Sequence, residues 1–219
     1  MDNFSIFGER CSGTHFVKFA IMQNFHIENT DVNKHFFGIN NDSDFENKIH
    51  NTLYICVVRH PIDWIDSFFK RHHHVPPENL ESIDAFLSNN FYSIHEVGEN
   101  INKEIIEDRH LITKERYKNI FELRKTKMDY FLNIIPTKAK HFMILRYEDL
   151  RDKYEETLDK IANEFNLVKK HDKYIQITKY KGTYTAEYYK KPILLSEDIQ
   201  EYIKQNIDVH QEKQLGYLL

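Results

Sequence analysis

Apolar and polar segments alternate along the chain in an order that predicts strands and helices in turn. The first apolar segment, Phe4–Phe7, favours a strand, and a glycine-bearing polar loop follows it. Apolar side chains then recur at helical spacing and predict a helix over about Thr14–Asn24. A short strand near Asn33–Phe37 comes next. The pattern therefore begins as strand, loop, helix and strand.

The most apolar segment of the chain is Leu53–Val58, a continuous run of residues that favour strands. Such a run is typical of a central strand in a parallel sheet that is covered on both faces. Pro61 ends this strand and begins a predicted helix through about Lys70. Further predicted elements are a strand over Lys140–Leu145 and helices over Tyr154–Phe165 and Ile199–Ile207. The order predicts an α/β fold, with a mostly parallel central sheet flanked by helices in three layers.

The composition narrows the class of protein. The chain has 219 residues, 41% hydrophobic and 29% charged, which predicts one globular domain over residues 1–219. Residues 75–118 contain a stretch without clear periodicity and are expected to form a helical lid or irregular insertion. The formal charge of −4 argues against a nucleic-acid partner. Two scattered cysteines and the absence of a long apolar run predict a cytoplasmic location without a membrane partner.

The loop Gly8–His15 is the first candidate site, because it joins a predicted strand to a predicted helix. Backbone N–H groups at such a helix start can bind phosphate. The two glycines have the spacing of an NTPase phosphate loop, but Thr14 and His15 follow where that loop has Lys and Ser or Thr. This difference disfavours ATP or GTP hydrolysis. The alternative interpretation is a plain strand-to-helix turn in which Ser12 and Thr14 cap the helix.

Arg59 and Ser67 form the second candidate site. Arg59 follows the predicted central strand, and Ser67 lies about two helical turns later. A guanidinium offers a planar set of donors suited to phosphate, and a serine hydroxyl adds one more. Residues that follow parallel strands meet at the carboxyl edge of the sheet, where ligands bind in such folds. We therefore expect Arg59 to lie near the Gly8–His15 loop.

Together these segments resemble the sulfotransferases that use 3′-phosphoadenosine 5′-phosphosulfate (PAPS). Ser12-Gly13-Thr14 matches the family's 5′-phosphosulfate loop, and Arg59-His60-Pro61 through Ser67 matches its 3′-phosphate motif. Leu145–Leu150 and the ending Leu215-Gly216-Tyr217 are also similar to family segments. The resemblance implies a P-loop-like fold and transfer of a sulfuryl group from PAPS to a hydroxyl or amine. The product would be adenosine 3′,5′-bisphosphate, and no metal would be required.

The resemblance also implies roles for single residues. The donor-binding residues would be Arg10, Cys11, Ser12, Gly13, Thr14, His15, Arg59, Ser67, Lys181 and Gly182. His35 would act as the general base, and Lys34 and Arg10 would neutralise charge that develops during transfer. The family often has a basic residue immediately before Ser-Gly-Thr, where this chain has Cys11. Either Arg10 replaces the contact of that basic residue with the bridging oxygen, or the contact is missing.

Two other classes of function stay open, namely a nucleotide kinase or NTPase and a non-catalytic nucleotide-binding module of the same fold. The acceptor is expected to be a glycan or a small molecule. His72-His73-His74 is interpreted as part of the acceptor entrance or as exposed surface, because adjacent histidines point in different directions. No metal site is predicted.

Overall fold

Strand β3 (Thr52–Val58) lies inside an all-parallel sheet with every residue buried. The computed structural model describes residues 1–30, 35, 38, 51–179 and 192–219. Within them, the sheet has three more strands, β1 (Asn3–Phe7), β2 (Glu28–Asn29) and β4 (His141–Arg146). The order across the sheet is β2-β1-β3-β4, so β2 and β4 are its outer strands. The predicted α/β fold with a parallel sheet flanked by helices is confirmed.

The sheet belongs to the first of two compact units, which comprises Met1–His35, Ile39–His60 and Asn133–Pro192. Its described helices are α1 (Thr14–Asn24), α5 (Ile135–Lys138), α6 (Tyr147–Asp152) and α7 (Tyr154–Phe165). Apolar side chains of α1, α6 and α7 pack with those of the strands into one buried core. The hydrophobic effect thereby holds the helices against the sheet.

The parallel register places the ends of three strands at one edge of the sheet. Phe7, the last residue of β1, pairs with Cys56, and Val58 at the end of β3 pairs with Arg146 at the end of β4. The loops that follow β1 and β3 and the helix that follows β4 therefore start close together. Cys11, in the loop after β1, and Arg59, after β3, lie at this edge.

The second unit comprises Phe36–Gly38, Pro61–Leu132 and Ile193–Leu219. Its described α-helices are α2 (Pro61–Lys70), α3 (Ile83–Ser88), α4 (Ile120–Asp129), α8 (Glu197–Asn206) and α9 (Val209–Gln214). Two turns of 3-10 helix lie at Pro77–Asn79 and Ile106–Asp108. Aromatic rings fill its core, where Phe68 packs against Trp64, Phe86 and Phe91 at centroid distances of 5.4 to 5.8 Å.

The structure contains most of the predicted strands and helices, with small differences in where they begin and end. The helices expected over Thr14–Asn24 and Tyr154–Phe165 have those bounds, and the late helix begins two residues earlier than predicted, at Glu197. The strand predicted near Asn33–Phe37 falls almost entirely outside the described residues. Residues 75–118 contain short helical pieces and turns. The assignment of these residues to a helical lid or insertion, and the single-domain assignment, stay predictions.

The helices that the structure describes are all too short or too polar to cross a lipid bilayer.

Candidate functional site

The loop between β1 and α1 forms the centre of the candidate site. Gly13 occupies the position before the helix with φ of 93°, and among the described residues no side chain caps the helix start. The Ser12 hydroxyl instead donates to the Glu9 carbonyl oxygen at 2.6 Å, and so does the Ser12 N–H at 3.1 Å. Ser12 therefore closes the loop and does not cap α1. The first turn of α1 begins at Thr14 without the side-chain oxygen that a capped turn requires.

Two glycines are required by the packing of this loop. A Cβ at Gly8 would lie 2.7 Å from the Thr14 methyl carbon and 2.9 Å from the Val57 carbonyl oxygen. A Cβ at Gly13 would overlap the ring of Tyr147. Cys11 also has a positive φ, 62°, although it is not a glycine. The loop thus combines close approach with left-handed backbone, a conformation that directs successive N–H groups to one side in anion-binding loops.

Glu9 and Arg10 are a buried ion pair within the loop. Each side chain is 2% exposed, and the Glu9 carboxylate accepts from both the backbone N–H and the Nε–H of Arg10 at 2.7 Å. A buried guanidinium needs such a carboxylate, because an uncompensated charge is costly away from water. The pair stabilises the loop from inside. A contact between Arg10 and a donor nucleotide stays a prediction.

Arg59 reaches the same loop from the end of β3. Its Nη1 donates to the Cys11 carbonyl oxygen at 3.1 Å, and its Cζ lies 5.0 Å from the centre of the Tyr147 ring. The ring attracts the cation through its π face. Arg151 lies against the same ring, with its Cζ 5.5 Å from the centre, and it pairs with Asp152. Two guanidinium groups therefore lie against one tyrosine ring at the edge of the β1–α1 loop.

The loop after β3 is held by the helix after β4. The backbone N–H of His60 donates to the Glu148 Oε1 at 3.0 Å. Glu148 is the second residue of α6, directly after Tyr147. Helix α6 thus contacts both candidate loops, through the Tyr147 ring at Gly13 and through the Glu148 carboxylate at His60.

Burial shifts the ionisation of two groups in this unit. Burial raises the pKa of the Tyr147 phenol, and the charges of Arg59 and Arg151 oppose that rise. Burial also raises the pKa of the Cys56 thiol, which lies in the middle of β3. Cys56 is therefore a packing residue held as a neutral thiol. Cys11 and Cys56, both described, form no disulfide, and Cys11 is half-buried.

The structure brings together the loop residues 10–15 and Arg59, as the sequence predicted. His15 is half-buried and stacks on Phe19 at a centroid distance of 6.4 Å. His35, the predicted base, is a half-buried turn residue of the first unit. Ser67 is half-buried on α2 in the second unit, and its role stays a prediction. Lys34, Lys181 and Gly182 lie outside the described residues.

Sequence reasoning assigned no site role to Glu9, Tyr147 or Glu148. The sequence could have pointed to Tyr147 and Glu148, because residues that follow neighbouring parallel strands lie close together at the carboxyl edge of the sheet. Tyr147 and Glu148 follow β4 directly, and β4 pairs with β3. Glu9 had no such signal. Its pairing with the adjacent Arg10 depends on a backbone bend that only the folded loop shows.

No protein-family model and no curated protein sequence matches this chain. In the part of the chain that the structure describes, no three His, Cys, Asp or Glu side chains are grouped as a metal site requires.

Proposed function

We propose that the protein is a sulfotransferase that transfers a sulfuryl group from PAPS to a hydroxyl or amine acceptor. The observation that carries the proposal is the contact between Arg59 and the Cys11 carbonyl of the β1–α1 loop. This contact joins the two segments that resemble the family's 5′ and 3′ donor-binding motifs. An uncapped helix start beside a guanidinium suits an anionic nucleotide.

In the proposed reaction the acceptor oxygen or nitrogen attacks the sulfur of PAPS. A bond forms between the acceptor and sulfur, and the bond between sulfur and the bridging oxygen breaks. The electron pair of that bond leaves with the phosphate of adenosine 3′,5′-bisphosphate, and the acceptor proton passes to His35. The N–H groups at the start of α1 stabilise charge on the departing phosphate. Most of the rate enhancement would come from positioning.

The loop chemistry favours this donor over a nucleoside triphosphate. A Walker-type loop uses a lysine after its second glycine to bind β- and γ-phosphates, and Thr14 occupies that position here. The phosphosulfate group carries less charge than a triphosphate. In the proposed complex, the backbone N–H groups of the loop, including the Ser12–Thr14 segment, bind the phosphosulfate group. Arg59, which follows β3, supplies the positive charge.

Isothermal titration with adenosine 3′,5′-bisphosphate, adenosine 5′-phosphate and ATP with magnesium tests the proposal. We expect the bisphosphate to bind most tightly. Arg59→Gln should weaken its binding at least about tenfold, because a charge-assisted hydrogen bond contributes about 1.5–3 kcal/mol. Lys160→Gln, which removes a cation from an exposed position on α7, is the matched control and should bind normally. Tighter binding of ATP with magnesium would contradict the proposal and favour a kinase or NTPase.

Transfer from radiolabelled PAPS to a panel of phenols, amines and oligosaccharides separates an enzyme from a binding module. His35→Ala should reduce transfer by at least about a hundredfold, the lower range of a general base, while the bisphosphate binds as before. Unchanged transfer in His35→Ala would remove this residue from the mechanism. Nucleotide binding without transfer to any acceptor class would favour the non-catalytic module.

A further inference from the structure

The structure assigns a positioning role to Glu148, which we infer holds the Arg59–His60 turn so that the Arg59 guanidinium faces the β1–α1 loop. The Glu148 carboxylate accepts the His60 N–H at 3.0 Å, and Arg59 is the residue immediately before His60. Glu148 itself would touch neither the donor nor the acceptor. Its role in donor binding rests on the proposed function.

The His60 N–H needs this acceptor because the strand ladder has already ended. The last residue pair between β3 and β4 is Val58 with Arg146, two residues before His60. Pro61 follows and has no N–H to help fix the turn. Buried or half-buried backbone donors require a partner, and a carboxylate is a strong one. The Glu148 side chain therefore replaces the ladder at the point where the chain leaves the sheet.

Three contacts restrain Arg59, two from the start of α6 and one from the β1–α1 loop. Its backbone is tied through His60 to Glu148, its guanidinium lies over the Tyr147 ring, and its Nη1 donates to the Cys11 carbonyl. A guanidinium carries five N–H donors in a fixed planar arrangement, so its orientation decides which of them face the β1–α1 loop. Restraining it before binding reduces the entropy that binding would otherwise cost.

Two substitutions separate the hydrogen bond from the charge. Glu148→Gln keeps an acceptor oxygen and removes the charge, whereas Glu148→Leu removes both at similar size. Glu156→Leu on α7 is the matched control, because Glu156 is an exposed carboxylate in the same unit. The proteins are first compared by thermal unfolding, so that binding is read only on folded variants.

The binding readout is the ratio of the dissociation constants for adenosine 5′-phosphate and adenosine 3′,5′-bisphosphate. We expect Glu148→Leu to weaken the bisphosphate about tenfold, or about 1.4 kcal/mol, and the monophosphate less than about threefold. Glu148→Gln should stay within about threefold of the wild type for both. Equal weakening of both ligands in Glu148→Leu, or no weakening of either, would overturn the positioning role.

Nuclear magnetic resonance tests the same role without any nucleotide. The His60 amide proton and the Arg59 side-chain Nε proton should shift in Glu148→Leu and stay near their wild-type positions in Glu148→Gln. Unchanged resonances in Glu148→Leu would overturn the inference. A wild-type protein that does not prefer the bisphosphate would instead refute the proposed function, and the two resonances would then decide the positioning role alone.

Discussion

At the scale of single residues, Gly13 carries the strictest requirement of the site. Its φ of 93° is in the left-handed region, and its Cα faces the ring of Tyr147 so closely that a Cβ would overlap the ring. Two independent reasons therefore require glycine here. The first is backbone strain, which any other residue would suffer, and the second is the space that the ring occupies.

Gly13→Ala should destabilise the protein by about 2–5 kcal/mol, of which about 1–2 kcal/mol is backbone strain and the rest is the displaced ring. Gly98→Ala is the matched control, since Gly98 has φ of 83° and a Cβ there would meet nothing within 4 Å. Gly98→Ala should therefore lose only the about 1–2 kcal/mol of stability that comes from backbone strain. Urea unfolding of both variants measures the difference. Equal losses would show that the Tyr147 ring moves away without cost.

The sequence predicted those candidate residues whose chemistry follows from their spacing. Ser12, Gly13, Thr14 and Arg59 were predicted because a loop before a helix and a cation after a buried strand have recognisable patterns. The buried Glu9–Arg10 pair could not be predicted, because adjacent residues of opposite charge are usually exposed. Only the folded loop turns both side chains inward to 2% exposure.

At the scale of elements, the predictions were most accurate where the hydrophobic pattern and the residues that start or end an element agree. Strand β3 is a continuous apolar run that Pro61 ends, and helix α2 begins at that proline and ends at Lys70. Helix α8 began two residues before its predicted start because Ser196, whose hydroxyl caps it, lies before the first apolar position. Caps are local signals, so this boundary was within reach of the sequence.

Helix α6 shows what local signals leave out. The predicted elements pass from a strand ending at Leu145 to a helix beginning at Tyr154, whereas in the structure β4 ends at Arg146 and α6 begins at Tyr147. The non-helical residue Lys153 separates α6 from α7. The Thr157 hydroxyl of α7 donates to the Asp149 carbonyl oxygen of α6 at 3.0 Å. Two short helices with this break bring Tyr147 and Glu148 to the site. Tertiary contacts select that arrangement, and six residues carry too little periodicity to predict it.

At the scale of the whole molecule, buried polar pairs join residues that are far apart in sequence. In the second unit, Arg124 binds Glu212 with its Nη2 2.8 Å from Oε2, and the Lys127 ammonium lies 2.8 Å from Asp108 Oδ1. These four side chains are at most 4% exposed. Sequence spacing gave no signal for either pair, because each partner alone resembles an ordinary surface charge. The fold class could be predicted, whereas these pairings could not.

The first unit makes the stability of the protein sensitive to high pH through its buried tyrosines. Tyr154 donates from its hydroxyl to the Ile175 carbonyl oxygen at 2.9 Å, and burial raises its pKa to about 12. An unfolded tyrosine ionises near pH ~10. The folded state therefore holds the proton longer, so its contribution is complete below about pH 10 and is lost as the pH rises through about 12.

Tyr154→Phe isolates this contribution, since it removes the ionisable hydroxyl and keeps the ring. The difference in free energy of unfolding between the wild type and this variant should be constant from about pH 7 to 9. Above pH ~10 the wild type should lose its advantage by up to about 1.4 kcal/mol per pH unit, until about pH 12. Urea unfolding at a series of pH values measures it. A difference that does not change with pH would mean that the folded protein does not hold the Tyr154 proton, and the hydroxyl would then act only through its hydrogen bonds to Ile175 and Asn24.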